Sequence, residues 1–317
     1  MALKLELARV NAERLGRPEE AIQAAEDALT DDPRCVEAAL LSVQVFRKTA
    51  KDAKTEASFA KALRRLANLR EGSERAEPLV ELADLLKRKP AGAGKVTKAD
   101  KAKDEQLLAA LIDAFQADPG HEGALNRLAG LQEASGMWDD LLATYEKAAT
   151  HARTDFKKGD LLTRIATILE QQKRDVTQAE VRYREAIGLA PTHLPAIKGL
   201  SRALHARGAG ATGADESAAD ALARLEDQVA ELEVDPRDKA LALVRSGDVR
   251  RDALGQFPAA RQRYELALQR SPTLWAALAA LAELAWAADD APAALSCLER
   301  VASSPELPRD PERAAEL

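Results

Sequence analysis

The chain has 317 residues, of which 46% are hydrophobic but only 3% aromatic. A core with so few rings must be built from Leu, Ala, Val and Ile, which suits close packing of helix on helix. The formal net charge of -6, with 31% charged residues, argues against a nucleic-acid-binding protein as a whole. Only two cysteines occur, Cys35 and Cys297, so a disulfide framework and a CxxC metal or redox motif are excluded, and both are predicted to be buried thiols.

Targeting and membrane signals are weak along the sequence. The first six residues lack the basic region and apolar stretch of a signal peptide. The longest nearly uncharged stretch, residues 273–288, contains Glu283 and is too short to cross a bilayer. We therefore expect a cytoplasmic protein without a transmembrane segment.

Small and large apolar residues recur at a spacing of four, three and five residues, each time ending in proline or a turn. In chain order the sets are Ala21, Ala25, Ala28 and Pro33; Leu107, Leu111, Ala114 and Pro119; Ala179, Tyr183, Ala186 and Pro191; and Ala260, Tyr264, Ala267 and Pro272. Self-similarity of this kind predicts a stack of helical hairpins, each made of a helix A and a helix B.

Glycine and proline mark the ends of the predicted helices. In the first hairpin Gly16 is expected to end helix A in a left-handed cap, and Pro18 to occupy the first turn of helix B. Thr177 and Glu180 form a capping-box pattern at a later helix start. The prolines at the place of Pro18 in two later repeats are Pro258 and Pro292.

The pattern predicts about eight hairpins over residues 1–317. Regular hairpins are expected near 2–35, 122–155, 160–193, 194–236, 241–274 and 275–308. The remaining region, 36–119, is irregular, with an insertion at 90–98, and a second insertion is expected at 208–215. Residues 309–317 resemble the start of a further helix A, which predicts a piece of a longer repeat protein or pairing through that end.

These repeats resemble the tetratricopeptide repeat (TPR) family, whose helix A favours a large residue, then Leu, a small residue and another large one. Matching sets are Leu278, Leu281, Ala282 and Ala285; Ile197, Leu200, Ser201 and Leu204; and Leu125, Leu128 and Ala129. The helix B spacing matches as well. The resemblance, closest to Ala- and Leu-rich bacterial arrays, implies an all-α, right-handed α-solenoid. It also implies a protein-interaction scaffold in motility, secretion, pilus or envelope machinery.

Catalytic and cofactor motifs are poorly supported. The segment Gly208-Ala-Gly210-Ala-Thr-Gly213 matches G-x-G-x-x-G, but a predicted helix precedes it, and an inter-helix turn explains it better. The histidines show no H-x3-H spacing, and no nucleophile lies in a recognisable elbow. We expect a non-catalytic protein with no cofactor and no metal.

The predicted binding surface is the concave wall formed by helices A. Its mostly basic side chains suggest that it holds an acidic peptide or a helix of a partner protein, although an ordinary solvated face is the alternative. Trp286 could serve as an aromatic anchor or pack beneath a following repeat. The predicted residues are Asn126, Arg127, Arg164, Gln171, Lys198, Arg202, His205, Arg245, Arg251 and Trp286.

Two other functions remain open. Exposed array ends could join copies head to tail into a self-associating structural array. The basic run over residues 87–103 could bind nucleic acid or an anionic surface, but it lacks interleaved aromatic residues, so a solvated loop is favoured and nucleic-acid binding is not expected.

Overall fold

The computed structural model describes residues 1–50, 52–87 and 98–304, and for residues 53 and 98–101 it describes the backbone alone. Within those ranges the chain forms sixteen α-helices joined by turns, with no strand. The predicted all-α class is confirmed. The predicted right-handed superhelix stays a prediction.

The helices fall into two compact units, Met1–His151 and Ala152–Leu317. The single continuous array expected from the sequence stays a prediction. The first unit contains α1 (Ala2–Glu13), α2 (Pro18–Asp31), α3 (Val36–Thr49), α4 (Ala53–Asn68), α5 (Gly72–Lys87), α6 (Lys98–Ala117), α7 (Glu122–Ala134) and α8 (Trp138–Thr150). The second unit contains α9 (Asp155–Gln171), α10 (Val176–Leu189), α11 (Leu194–Ala206), α12 (Glu216–Leu232), α13 (Pro236–Asp252), α14 (Phe257–Arg270), α15 (Trp275–Ala287) and α16 (Ala291–Ser303).

Within each unit consecutive helices pack on one another, and short turns join most odd–even pairs into antiparallel hairpins, the exceptions being α5 with α6 and α11 with α12. Four odd-numbered helices also contact the next odd-numbered helix of their unit: α1 contacts α3, α5 contacts α7, α9 contacts α11 and α13 contacts α15. The odd helices, which are the predicted helices A, therefore share one side within each unit. We call the outward side chains of the odd helices the A-helix face of that unit.

Several helix ends follow the predicted turn chemistry. Gly16 has a φ of 62°, the left-handed conformation that favours glycine, and Pro18 opens α2. Prolines also lie in the first turns of α14 and α16. The predicted capping box is wrong, because α10 begins at Val176 and its cap is Asp175, which accepts a hydrogen bond from the Gln178 amide at 3.0 Å.

Two helix A starts lie earlier than the repeat pattern suggests, because a polar cap precedes the apolar pattern. Helix α13 begins at Pro236 rather than near 241, since Asp235 accepts hydrogen bonds from the first-turn amides. Helix α9 begins at Asp155 rather than near 160, behind the Thr154 cap. The connection 207–215 separates α11 from α12, where an insertion is expected.

Some predicted features fall where no structure is described. Residues 90–97 of the predicted insertion and the helix start at 309–317 lie outside the described residues. Most of the basic run 87–103 does so as well. Of its lysine side chains only those of Lys87 and Lys103 are described, and both are exposed.

Two tyrosines supply bulk to the aromatic-poor core of the second unit. Tyr183 and Tyr264 have no exposed surface, and each ring lies against a glycine of an odd helix. A Cβ at Gly199 would lie 2.3 Å from Cε1 of Tyr183, and one at Gly247 would lie 2.4 Å from Cε1 of Tyr264. Glycine at these two positions therefore lets a helix approach the ring closely.

We expect Gly199→Ala to lower the free energy of unfolding by about 1–3 kcal/mol, because the added methyl group forces the buried ring to move. Urea denaturation followed by circular dichroism measures this change. The matched control is Gly188→Ala, on the exposed side of α10 with no heavy atom within 4 Å of its Cβ position. It gains helix propensity without a clash and should be more stable by up to about 1 kcal/mol. A Gly199→Ala protein as stable as this control would contradict the packing described.

Candidate functional site

All the residues predicted for partner binding lie on odd helices. The first unit holds Asn126 and Arg127 on α7. The others lie in the second unit and are Arg164 and Gln171 on α9, Lys198, Arg202 and His205 on α11, Arg245 and Arg251 on α13, and Trp286 on α15. Lys198, Arg245 and Arg251 are half-buried, and the rest are exposed.

In the first unit, arginine–carboxylate pairs link each odd helix to the next. These pairs are Arg9 with Glu37, Arg47 with Glu81, and Arg127 with Asp84. The pair of Arg127 is two-pronged, because Nε and Nη2 each donate to a carboxylate oxygen of Asp84 at 2.7 Å. Arg127 is thus a predicted binding residue whose orientation is fixed by a neighbouring helix.

The same arrangement recurs in the second unit. Arg202 on α11 donates from Nε and Nη2 to Glu170 on α9, both at 2.8 Å. Arg251 on α13 donates from Nη1 to Glu283 on α15 at 2.8 Å. We call these contacts, with those of the first unit, the interhelix ion pairs. Exposed pairs of this type contribute only about 0–1 kcal/mol each, so they position side chains more than they stabilise the fold.

The remaining basic residues of the second unit also have acidic neighbours. Arg164 donates from Nε to Asp160, four residues earlier on α9, at 3.1 Å. Lys198 forms a salt bridge with Glu233, next to the end of α12. The predicted strip of positive charge is therefore compensated by carboxylates, and the A-helix face presents fixed pairs of opposite charge.

Glu170 illustrates how these carboxylates are held. Burial by itself raises the pKa of Glu170, but hydrogen bonds from Arg202 and from the hydroxyl of Tyr183, the latter at 2.8 Å, outweigh it. The pKa of Glu170 is therefore below its usual value, and the pair stays charged at neutral pH. The same carboxylate thus connects the A-helix face to the buried tyrosine.

A buried carboxylate outside the predicted binding set lies beneath this face. Glu226 on α12 is 1% exposed and accepts a hydrogen bond from Ser201 and another from Nε of Arg245, at 2.9 Å. Nε2 of His205 lies 3.5 Å from the same carboxylate. Two predicted binding residues, His205 and Arg245, thus belong to a cluster around Glu226 that joins α11, α12 and α13.

Glu226 stays ionised despite its burial. Desolvation raises the pKa of Glu226, but the contact with His205, the charge of Arg245 and the hydrogen bond from Ser201 together outweigh it. The net result is a pKa below the usual value for glutamate. The cluster is therefore a charged, hydrogen-bonded support under the A-helix face.

The next residue on α12 forms a second cluster. Asp227 binds Arg263 on α14 through two hydrogen bonds, of 2.7 and 2.9 Å, and Nη2 of Arg250 on α13 at 2.8 Å. The hydroxyl of Ser246 donates to it at 2.7 Å. Burial raises the pKa of Asp227, and these donors, led by Arg263, lower it below its usual value.

The structure also bears on the predictions for Trp286, the two cysteines and the glycine-rich segment. Trp286 is 72% exposed, so no described residue covers it. Both cysteines are half-buried, so the prediction of buried thiols is wrong, since Cys35 precedes α3 and Cys297 lies on a partly open side of α16. Gly208 and Gly213 have φ values of 81° and 82° in a turn that follows a helix, which is not the strand context of a phosphate-binding motif.

Neither metal-binding clusters nor membrane-spanning helices are found in the described part of the chain. Across residues 1–50, 52–87 and 98–304 no three His, Cys, Asp or Glu side chains are grouped so that they could hold a metal ion. None of the described helices combines the length and apolar character needed to cross a bilayer.

Comparisons with known proteins give structural neighbours only. No family model and no curated protein matches the sequence. The chain is similar to YrrB, described as a TPR protein with an unusual peptide-binding site (19% identity, 65% of this chain, 91% of that chain, TM-score 0.41). It is similar to the C-terminal part of a TPR repeat-containing protein from Cytophaga hutchinsonii (11% identity, 87% and 99%, TM-score 0.47). A tetratricopeptide repeat protein from Parabacteroides merdae is a third such structure (14% identity, 89% and 96%, TM-score 0.38).

The helix lengths, the glycine and proline turns and the odd-to-odd contacts define the class of the molecule. It is an all-α protein built of antiparallel helical hairpins in the described part of the chain.

We expect Glu226→Gln to lower the free energy of unfolding at neutral pH by about 1.5–3 kcal/mol, because charged hydrogen bonds in a buried cluster are lost. A carboxyl with a lowered folded pKa contributes stability above its unfolded value of 4.5, and this contribution is lost as the pH falls through the folded pKa. The variant should therefore lose less stability than the wild type when the pH is lowered below 4.5.

Urea unfolding at neutral pH and at a pH below 4.5 measures both effects. Glu265→Gln on the exposed side of α14 is the matched control and should follow the wild-type pH dependence. Equal acid sensitivity of Glu226→Gln and the wild type would show that Glu226 does not carry this stability.

Proposed function

We propose that the protein is a non-catalytic interaction scaffold that holds an acidic peptide or helix of a partner protein on the A-helix face of its second unit. The observation that carries the proposal is the fixed orientation of guanidinium groups by the interhelix ion pairs. Arg202 uses two N–H groups for Glu170, and its Nη2 also donates to the Tyr183 hydroxyl at 3.3 Å. A guanidinium has five N–H groups, so those of Nη1 remain for a partner's carboxylates or carbonyl oxygens.

Preorganisation is the physical advantage of this arrangement. Long basic side chains normally lose rotamer freedom on binding, which costs about 0.5–1.5 kcal/mol for each immobilised side chain. Arg202 and Arg251 are already held by carboxylates on adjacent odd helices. Part of their rotamer freedom is therefore lost when the chain folds, and less is lost when a partner binds. Because carboxylates compensate the positive charges of the face, recognition depends more on the positions of the guanidinium N–H groups than on a net positive electrostatic potential.

The binding set proposed for the second unit is the predicted one, with Trp286 as the exposed aromatic contact. Asn126 and Arg127 are proposed to serve the A-helix face of the first unit in the same way. The cellular role proposed is assembly work in a cytoplasmic part of bacterial motility, secretion, pilus or envelope machinery.

We expect Arg164→Glu to weaken binding of a fluorescein-labelled, glutamate-rich peptide about five- to tenfold, because one attractive contact becomes repulsive. Fluorescence anisotropy at low and high salt measures this. Arg261→Glu is the matched control, because Arg261 also pairs with an acidic residue four positions away but lies on α14, off the A-helix face. Equal loss in both variants would indicate a nonspecific charge effect, and no loss in Arg164→Glu would rule out this face as the acidic-peptide site.

Head-to-tail self-association is a second candidate, and exposed leucines on the first and last described helices favour it. On α1, Leu3 is 87% and Leu7 is 54% exposed, and on α16, Leu298 is 52% exposed. Leu298 and Tyr264 occupy equivalent positions, because each follows the first-turn proline of its helix, α16 or α14, by the same number of residues. Tyr264 has no exposed surface, whereas Leu298 is exposed. A surface that is covered within the array is thus open on α16.

If copies join through these surfaces, the average mass from light scattering should rise with concentration, and Leu298→Glu should abolish the rise. Val234→Glu, which changes a 90% exposed residue between α12 and α13, is the control. A wild-type mass that stays constant from micromolar to near-millimolar concentration would contradict self-association.

A further inference from the structure

The second unit has an apolar groove on the side of its even helices, away from the A-helix face. It lies between α14 and α16, with α15 as its floor, and has a volume of about 880 Å³. Leu268 of α14, Leu281 and Leu284 of α15 and Cys297 of α16 line it. We call this space the α14–α16 groove.

The floor of the groove is an uncovered edge of the hydrophobic core. Leu268, Leu281 and Leu284 are only partly buried, yet they pack against the core cluster that contains Tyr264. Removing such surface from water is favourable and roughly proportional to the apolar area covered. The groove therefore provides a driving force for binding an apolar surface.

The adjacent groove between α12 and α14 differs in chemistry. It is smaller, about 410 Å³, and is lined by the charged residues Asp227, Lys239 and Arg263 among others. There the ion pair of Asp227 with Arg263 links its two walls. In the α14–α16 groove, by contrast, Arg261 bonds Glu265 of its own helix, so this contact does not close the groove.

The dimensions of the groove match a short helix. Its wall on α14 runs from Phe257 to Gln269, and at 1.5 Å per residue this gives a length of roughly 18 Å, or a little over three helical turns. Phe257, 55% exposed, lies at the rim. Leucine-lined grooves of this length are the surfaces on which the apolar side of an amphipathic helix packs.

The charges at the two ends of the groove favour one direction for that helix. Asp290 lies at the end where α16 begins. Arg300 lies at the opposite end, where its Nη2 donates to the Pro272 carbonyl of the α14–α15 turn at 3.2 Å. A helix parallel to α14 and α16 would place the positive end of its dipole near Asp290 and the negative end near Arg300.

The geometry points to a second binding site, in which the α14–α16 groove takes an amphipathic helix of a partner protein, about three turns long, with apolar residues at i, i+4 and i+7. The helix lies parallel to α14 and covers Leu268, Leu281 and Leu284. This site is separate from the A-helix face, so either surface can bind when the other is disabled.

The test uses the whole chain and a fluorescein-labelled synthetic peptide of about four turns, with leucines repeating every three or four residues, beside a scrambled peptide of the same composition. Anisotropy should give micromolar-order affinity for the patterned peptide only. Cys297→Arg, at the centre of the groove, should weaken it at least about tenfold. Ser296→Arg, exposed and outside the groove lining, is the matched control and should not change affinity.

A second measurement does not depend on how the arginine variant folds. In a Cys35→Ser background Cys297 is the only thiol, and saturating patterned peptide should slow its reaction with a disulfide reagent at least about tenfold. Equal binding of both peptides, unchanged affinity in Cys297→Arg, or an unprotected thiol would overturn the proposal. Protection that rises with protein concentration alone would assign the groove to a second copy and overturn it as well.

Discussion

Close approach of helices across alanine and glycine is the constraint on which the rest of the structure depends. The small residues of the repeat pattern are fully buried, among them Ala21, Ala179 and Ala260. Side chains of this size let neighbouring helices interdigitate at short interaxial distance. Because the odd helices then lie side by side, arginine and carboxylate side chains on adjacent odd helices come within hydrogen-bond range. The ion pairs of the A-helix face are thus a consequence of the alanine packing beneath them.

The sequence predicts the features that are set locally. Gly16 and the first-turn prolines mark helix ends correctly because their backbone preferences act within one turn. The buried alanines and tyrosines follow from the helical period. The cap of α10 is missed because Asp175 and Thr177 both suit a helix start, and only the backbone path at Asp175 decides between them.

The pairing of charges on the binding face depends on which helices come together in the fold, and the sequence pattern does not predict it. Counting positions along each helix selects Arg202 and Arg251 but does not reveal Glu170 or Glu283, which come from other hairpins some thirty residues away. Glu226 did leave a signal, because it occupies the apolar stripe of α12 with Leu222 and Val229. A carboxylate on such a stripe indicates a buried, paired charge. The α14–α16 groove has no comparable signature, since it depends on how two even helices lie relative to each other in the folded chain.

The adjacent carboxylates of Glu226 and Asp227 also bear on the motions of the second unit. Repeat arrays are often described as one-dimensional chains of nearly independent elements that open one neighbour at a time. Here two consecutive residues of α12 bind three other helices. Glu226 binds side chains of α11 and α13, and Asp227 binds side chains of α13 and α14. Opening any of these four helices disrupts a charge cluster shared with the others. We therefore expect the four helices to open as one cooperative block, with amide protons that exchange with solvent together and more slowly than those of α15 and α16.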